Sequence, residues 1–276
     1  MASASSASHP QLQPGNAGAR AHGRQSDRQS IMIRASITGW GRQLPARVVT
    51  NDDLAASLDT TDEWIRTRPG MPSVASTVQH ALGASRAGAF DLNAACAGFV
   101  YGLGVANALI AAGMHRNILL IGSETLSRVL DWNDRSTCVL FGDGAGAVVV
   151  QPAETPSARS ALRSLVTGAD GSRGNALIIP AGGGAAPASH ETVDARAHYI
   201  QMDGREVYRF AVSTVPVACL QAIHDAGLQP NDIDVVILHQ ANIRILRSVV
   251  ETLGIPWERA VINLDRYGNT SAASIP

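Results

Sequence analysis

Apolar residues fall in short runs along most of this chain, and their spacing predicts alternating strands and helices. Ile31 to Thr38 reads as a strand, and Gly39 to Pro45 as a turn-rich loop carrying the chain to Val48 and Val49. Two short helices are predicted next. Asn51-Asp52-Asp53-Leu54 has a capping start, and Thr60-Thr61-Asp62-Glu63-Trp64-Ile65 carries acids in its first turn, where the helix dipole favours them. Pro69-Gly70 ends that segment. A helical pattern runs from Pro72 to Leu82 into Gly83. Ala89 to Asn93 then reads as a buried strand feeding a long apolar helix, Cys96 to Ala112.

Ile118 to Ile121 is predicted as another buried strand, and Val139 to Phe141 and Ala145 to Val150 as two more around a Gly-rich turn. Gln151 to Ser160 is a polar joint, and Ala181 to Ser189 a Gly/Ala/Pro loop. Arg205 to Ala226 is an amphipathic helix that Pro216 is expected to kink or split. Asp232 to Leu238 follows as a strand ending at His239, then a helix from Ile243 to Leu253 stopped by Gly254, and a last strand from Ala260 to Leu264. Strands and helices thus alternate twice over, an α/β pattern with no short-period repeat.

The chain has 276 residues, 45% hydrophobic and 16% charged, enough to bury a large core as one domain or two similar halves. Its net charge of −1 offers no basic field to hold nucleic acid or an anionic membrane surface. The longest apolar runs fall far short of the roughly 20 residues a transmembrane helix needs. Three widely spaced cysteines, Cys96, Cys138 and Cys219, form neither a disulfide framework nor a metal-ligand pair, which fits a reducing, cytoplasmic setting. Residues 1–30 are rich in Ser, Ala, Gln, Gly and Arg and lack a secretory h-region, so a disordered extension is expected there. Arg20, Arg24 and Arg28 fit an organelle transit peptide. Met32, at the start of the first strand, fits equally well a start codon placed too early.

Cys96 stands where a predicted strand turns into a helix, so the helix dipole should favour its thiolate. Lowering a thiol from about 8.5 toward 7 raises the thiolate from a few per cent to about half at neutral pH. The plainer reading is a small buried hydrophobe. His239 closes a predicted strand, where open α/β sheets place active groups, yet a structural histidine would look the same. Asn269 follows a strand and a turn, and turn chemistry alone would explain it. In Gly142-Asp143-Gly144-Ala145-Gly146-Ala147 the glycines fall at i, i+2 and i+4 before a strand, which suits a tight turn and not a dinucleotide fingerprint.

Taken together, Asp91-Leu92-Asn93-Ala94-Ala95-Cys96-Ala97-Gly98-Phe99, His239-Gln240-Ala241-Asn242 and Gly268-Asn269-Thr270-Ser271-Ala272-Ala273-Ser274 resemble, in order, the Cys, His and Asn motifs of the 3-ketoacyl-(acyl-carrier-protein) synthase III family. The resemblance extends over most of Ile33 to Pro276. It implies a thiolase-like fold of two similar α/β halves, with mixed sheets in a layered αβαβα arrangement. Residues 31–152 would carry the Cys and residues 153–276 the His and Asn. The implied activity is an acyltransferase reaction. An acyl-CoA primer, acetyl-CoA by default, condenses with malonyl-acyl carrier protein as carbon dioxide leaves, initiating fatty acid biosynthesis. Cys96 would carry the acyl group, and His239 and Asn269 would hydrogen-bond the enolate oxygen.

The same resemblance matches Thr60, Trp64 and Arg68 to the mouth of a coenzyme A tunnel, and a spacing of four places them on one helix face. Arg135 matches an adenine-contacting arginine, although Ser136 replaces the usual Gly. Asn242 matches a pantetheine contact and Arg244 a basic rim position where the acidic carrier protein docks. A solvated surface residue remains the alternative for each. No metal or redox cofactor is implied, and a cytoplasmic homodimer is.

The sequence departs from the family in two places. A strand, a helix and another strand expected between Gly70 and Met71 are absent, and the chain stops at Pro276 soon after the Asn motif. Both halves of the fold are therefore expected to be incomplete. The alternatives are a truncated, non-catalytic homologue, or a related condensing enzyme of polyketide or quinolone-type secondary metabolism.

Overall fold

The computed structural model describes residues 34–43, 73–155 and 160–276. All of them belong to one compact unit, Met32–Pro276. The predicted extension over residues 1–30, the two short helices beginning at Asn51 and Thr60, and the candidate residues Thr60, Trp64 and Arg68 lie outside the described residues.

Three strands form the main sheet: β1 (Ala35–Gln43), β2 (Ile118–Glu124) and β3 (Gly144–Pro152), in the order β1-β3-β2 with both pairs antiparallel. Residues 39–43, expected as loop, continue β1 because each pairs with β3. Along β3, burial alternates with the period of two that a half-covered strand requires. Gly144 and Gly146 share the buried face with Val148 and Val150. The valines join Ala35, Phe99, Ala106 and Ile110 in a core cluster.

Helix α1 (Val74–Ala81) is capped by Ser73, whose hydroxyl accepts the Ser76 N–H. Helix α2 (Gly98–Ala111) buries Phe99, Gly102, Ala106 and Ile110, the one-face spacing of a helix lying on a sheet. The helix approaches β2 closely at Gly102, where a Cβ would lie 2.5 Å from Leu120 Cδ1 and that side chain would have to shift.

A two-stranded ribbon pairs β4 (Leu177–Ile178) with β5 (Gln201–Met202), flanking the short helix α3 (His190–Asp194). Helix α4 (Gly204–Asp225) starts on Asp203, whose carboxylate accepts the Arg205 and Glu206 N–H groups, and runs unbroken through the buried Pro216. The expected split does not occur. Helix α5 (Ile243–Thr252) begins on the Asn242 cap and ends before Gly254, whose φ of +67° supplies the left-handed exit. Ile245, Val249, Val250, Leu253 and Ile255 form a second core with α4 and the 233–241 segment. At about 1.5–3 kcal/mol for each fully buried aliphatic side chain, this cluster is a principal stabiliser of the region. A four-residue helix, α6 (Leu264–Tyr267), precedes the Asn loop.

Four predicted strands do not form. Ala89 to Asn93 is irregular, with Phe90 61% exposed, and Val139 to Phe141 contributes only a parallel bridge from Phe141 to Asn269. Asp232 to Leu238 and Ala260 to Leu264 meet only in a bridge between Val236 and Ala260. The reason is common to all four. Apolar character marks a segment as fit for a sheet, but a strand exists only where a neighbour supplies the ladder, and among the described residues these segments meet a neighbour at one point or not at all. β2 does pair with β3, yet Leu119 and Ile121 are exposed on it, contrary to the buried strand expected. Among the described residues the strand pairs are all antiparallel, and parallel contacts occur as isolated bridges.

Candidate functional site

The site is assembled around one turn, the 3₁₀ segment Ser271–Ser274 that follows Asn269. Asn269 is held first. Its N–H donates to Leu140 O and its carbonyl accepts the Gly142 N–H, each at 2.9 Å, so its backbone is clamped against the segment leading into β3. Its side-chain Oδ1 accepts the Ser271 N–H at 2.9 Å, which leaves the Nδ2 amide as the donating end. The turn then packs on Gly144 and Gly122. A Cβ at Gly122 would lie 2.5 Å from the Ala272 carbonyl oxygen, and one at Gly144 3.1 Å from Thr270 Cγ2. Small residues on two adjacent strands make room for the loop.

Cys96 lies in a one-turn 3₁₀ segment, Ala95–Ala97, directly before α2. Ala95 has φ +46° and Ser271 has φ +48°. Left-handed backbone at non-glycine residues costs about 1–3 kcal/mol each and persists only where the surroundings enforce it. Here it falls just before the candidate nucleophile and at the residue whose hydroxyl bonds it. The Ser271 side chain is hydrogen-bonded both to Cys96 and to Glu124.

The electrostatics of Cys96 run opposite to the sequence expectation. Burial pushes the thiol up, and the Glu124 carboxylate adds to that rise. The Ser271 hydroxyl and the backbone N–H of Cys96 itself pull the other way without reversing it. The strand-to-helix corner exists as a turn, but the dipole's preference for thiolate is outweighed by desolvation and a neighbouring anion. Glu124 is itself pushed up by burial, opposed by the Ser271 hydroxyl and the Ala272 N–H, which reaches Oε1 at 3.3 Å.

His239 is half-buried, and burial lowers its pKa to about 4, so the ring is neutral at physiological pH. A backbone hydrogen bond with Ser271 opposes that shift. Nδ1 lies 3.0 Å from Ser274 Oγ, which in turn accepts the Thr270 hydroxyl at 3.4 Å. Run in that direction, the chain of hydroxyls donates into Nδ1 and leaves the proton on Nε2, the tautomer that can donate from its far nitrogen. Next to it, Gln240 is 1% exposed. Its Nε2 donates to Leu238 O and Val261 O, and its Oε1 accepts the Asn263 and Leu264 N–H groups. One side chain thus stitches together two segments that form no strand ladder, and fixes where His239 emerges.

Cys96, His239 and Asn269 are therefore brought together through shared contacts to residues 269–274. Asn242 is elsewhere in role, as the cap of α5, with Oδ1 accepting the Arg244 N–H at 2.8 Å, and Arg244 is exposed on that helix's first turn. Arg135 is exposed in a loop that Asp134 organises by accepting from Ser136 N, Ser136 Oγ and Thr137 Oγ1. Sequence reasoning missed Ser271, Ser274, Gln240 and Glu124. The two serines stand inside the quoted Asn motif and Gln240 inside the His motif, so those three were in view. Glu124, at the end of β2, has no local signal. Among the described residues, no cluster of three His, Cys, Asp or Glu side chains is placed to hold a metal ion.

The family model for 3-oxoacyl-[acyl-carrier-protein] synthase III matches residues 90–171, and the model for the C-terminal part of that synthase matches residues 223–276. The chain is similar to a beta-ketoacyl-[acyl-carrier-protein] synthase III of Roseiflexus sp., 42% identical over 88% of this chain and 87% of the relative. It is also similar to one of Symbiobacterium thermophilum, 44% identical over 87% and 86%. The crystal structure of 3-oxoacyl-(acyl carrier protein) synthase III from Pseudomonas aeruginosa superposes with a TM-score of 0.76 at 36% identity, covering 88% of this chain and 87% of that one. The Aquifex aeolicus structure gives 0.73 at 37%, covering 88% of each. The Roseiflexus alignment runs over 290 positions but takes in only 88% of a 276-residue chain, so that relative carries residues inside the aligned region that this chain lacks.

Proposed function

This chain belongs to the 3-oxoacyl-[acyl-carrier-protein] synthase III family and has its thiolase-like fold, and on that premise we propose that Cys96, His239 and Asn269 carry its chemistry. The activity of the family is that of a condensing acyltransferase that initiates fatty acid biosynthesis, and this chain is of that type. The observation that supports the residue assignment is the single turn, 269–274, contacting all three motif segments.

In the proposed first stage, Cys96 attacks an acyl-CoA thioester. The Cys96 N–H, at the start of the turn into α2, donates to the oxyanion. CoA leaves and the acyl group stays on sulfur. In the second stage malonyl-acyl carrier protein loses carbon dioxide, and negative charge grows on the thioester oxygen. His239, neutral and carrying its proton on Nε2, and the Nδ2 amide of Asn269 donate to that oxygen. Each such donor is worth about 3–4 kcal/mol of transition-state stabilisation. The carbanion then attacks the acyl-cysteine carbonyl, the C–S bond to Cys96 breaks, and a 3-oxoacyl-acyl carrier protein forms as Cys96 departs as thiolate. One proton taken from solvent restores the Cys96 thiol at the end of each turnover, and the scheme calls on no metal or redox cofactor.

Substrate contacts are proposed by family likeness. Thr60, Trp64, Arg68, Arg135 and Asn242 would contact coenzyme A, and Arg244, exposed on α5, would meet the acidic carrier protein. A cytoplasmic homodimer is proposed on the same ground. No helix among the described residues is long and apolar enough to cross a membrane.

A non-catalytic homologue is the competing reading, favoured by the internal gap in the alignment and by the irregular, exposed Ala89 to Asn93 segment. Incubation with acetyl-CoA followed by mass spectrometry separates the two. An acetyl adduct on the Cys96 peptide, absent in Cys96→Ala, is expected. An unmodified Cys96 in folded protein overturns the catalytic reading.

A further inference from the structure

The proposed mechanism leaves one half-buried acid unused. Glu124 ends β2 with its carboxylate turned to the Asn loop, where it meets the Ala272 N–H at 3.3 Å and the Ser271 hydroxyl. That same hydroxyl bonds Cys96. Carboxylate and thiol therefore share one hydroxyl partner, and that residue sits on strained backbone at φ +48°, held by the Asn269 side chain through the Ser271 N–H.

We propose that Glu124 is a positioning residue for Cys96, acting through the Ser271 hydroxyl: it sets the charge of the resting nucleophile and takes up the proton that Cys96 sheds on attack. The inference rests on Cys96 being the nucleophile. In the acylation step the S–H bond breaks and its proton passes to Ser271 Oγ, while the Ser271 proton passes to the Glu124 carboxylate. The sulfur forms its bond to the thioester carbon. When the tetrahedral intermediate collapses, the C–S bond to coenzyme A breaks and the departing thiolate recovers the proton from Glu124 by the same route. Glu124 ends ionised beside an acyl-cysteine that has no proton to lose.

The arrangement explains why a thiol pushed up by burial can still serve. Two anions this close do not coexist cheaply, so one proton is shared between Cys96 and Glu124. Other ionisable groups around them do not take this part. His239 is already neutral and bonded to Ser274. Asp143, beside the Gly144 that pairs with Glu124, is engaged by the Ser127 N–H and hydroxyl. Arg128 is exposed on the turn after β2, and α2 contributes no charged residue.

The test is the pH profile of Cys96 alkylation by iodoacetamide, followed on the Cys96 peptide so that Cys138 and Cys219 do not contribute. Glu124→Gln removes the neighbouring anion, so the midpoint moves to lower pH and alkylation at neutral pH rises at least about twofold. Ser271→Ala removes the hydroxyl that favours thiolate, so the midpoint moves to higher pH. Acetyl transfer from acetyl-CoA slows in both variants. Faster alkylation with slower acyl transfer in Glu124→Gln is a pattern that simple damage to the fold does not produce. An unmoved or raised midpoint in Glu124→Gln overturns the proposal, as does a lowered or unmoved midpoint in Ser271→Ala, which decides the matter alone if the glutamine variant fails to fold. Alkylation reads the thiol without any acyl donor. A wild-type chain that alkylates as described but takes no acetyl group would sink the proposed function and leave the Glu124 coupling standing.

Discussion

Acid should unfold this protein partly through one imidazole. His239 is held neutral by burial, with a pKa of about 4 against an ordinary value of 6.5. Between those two values the unfolded chain binds a proton at this residue and the folded chain does not. Stability present above pH 6.5 is therefore lost progressively as the pH falls toward 4, and no further below it. One unit of separation is worth about 1.4 kcal/mol, so the full window amounts to about 3 kcal/mol, of which about 2 kcal/mol is gone at pH 5. The perturbation that isolates it is His239→Gln, which keeps a hydrogen-bonding side chain opposite Ser274 but cannot titrate. Urea unfolding at pH 7 and pH 5 gives the stability of each protein. The other histidines and carboxylates are common to both and cancel. Wild type should lose about 2 kcal/mol more than the variant over that interval. Equal losses in the two proteins would show that the imidazole is not held neutral, and the Nε2–H donor assigned to it would go with that result.

Asn269→Ala should leave acetylation of Cys96 in place but slow malonyl decarboxylation by about 100- to 1,000-fold, because the lost amide acts only on the developing enolate; equal slowing of both stages would contradict this. Gly122→Ala puts a Cβ 2.5 Å from the Ala272 carbonyl oxygen, a backbone atom with little freedom to retreat. A loss of about 1–3 kcal/mol in urea is expected, together with impaired acetylation of Cys96. Leu246→Ala, at a side chain only 1% exposed on α5, should cost about 2–5 kcal/mol by the same assay. Asp91 accepts the Val74 and Ala75 N–H groups and the Ser73 hydroxyl, with the Ala75 bond contributing most to a pKa below the ordinary carboxylate range. Asp91→Asn should lower the melting temperature at neutral pH by an amount worth about 1 kcal/mol or less, given its exposure. The difference should shrink as the pH falls through the lowered pKa and the wild-type carboxylate is protonated.

Elements whose stability is local were legible from residue order. The helices beginning at Val74, Gly98, Gly204 and Ile243 follow from apolar spacing and from caps such as Ser73, Asp203 and Asn242, all within a few residues of what they stabilise. The three motifs that mark the family were legible for the same reason, since each is a short run of residue types. Strands were legible only as candidates. Gly144–Pro152 became one because Ala35–Gln43 and Ile118–Glu124 lie on either side of it, while the segments at Ala89 and Asp232 meet no such ladder among the described residues. The charge state of the site was the least accessible. Residue order places Cys96 before a helix and predicts a favoured thiolate, but burial and a carboxylate 28 positions away decide otherwise, against the pull of a serine 175 positions away. Solvation and Coulomb terms act over distances in space, and only the folded chain sets those distances.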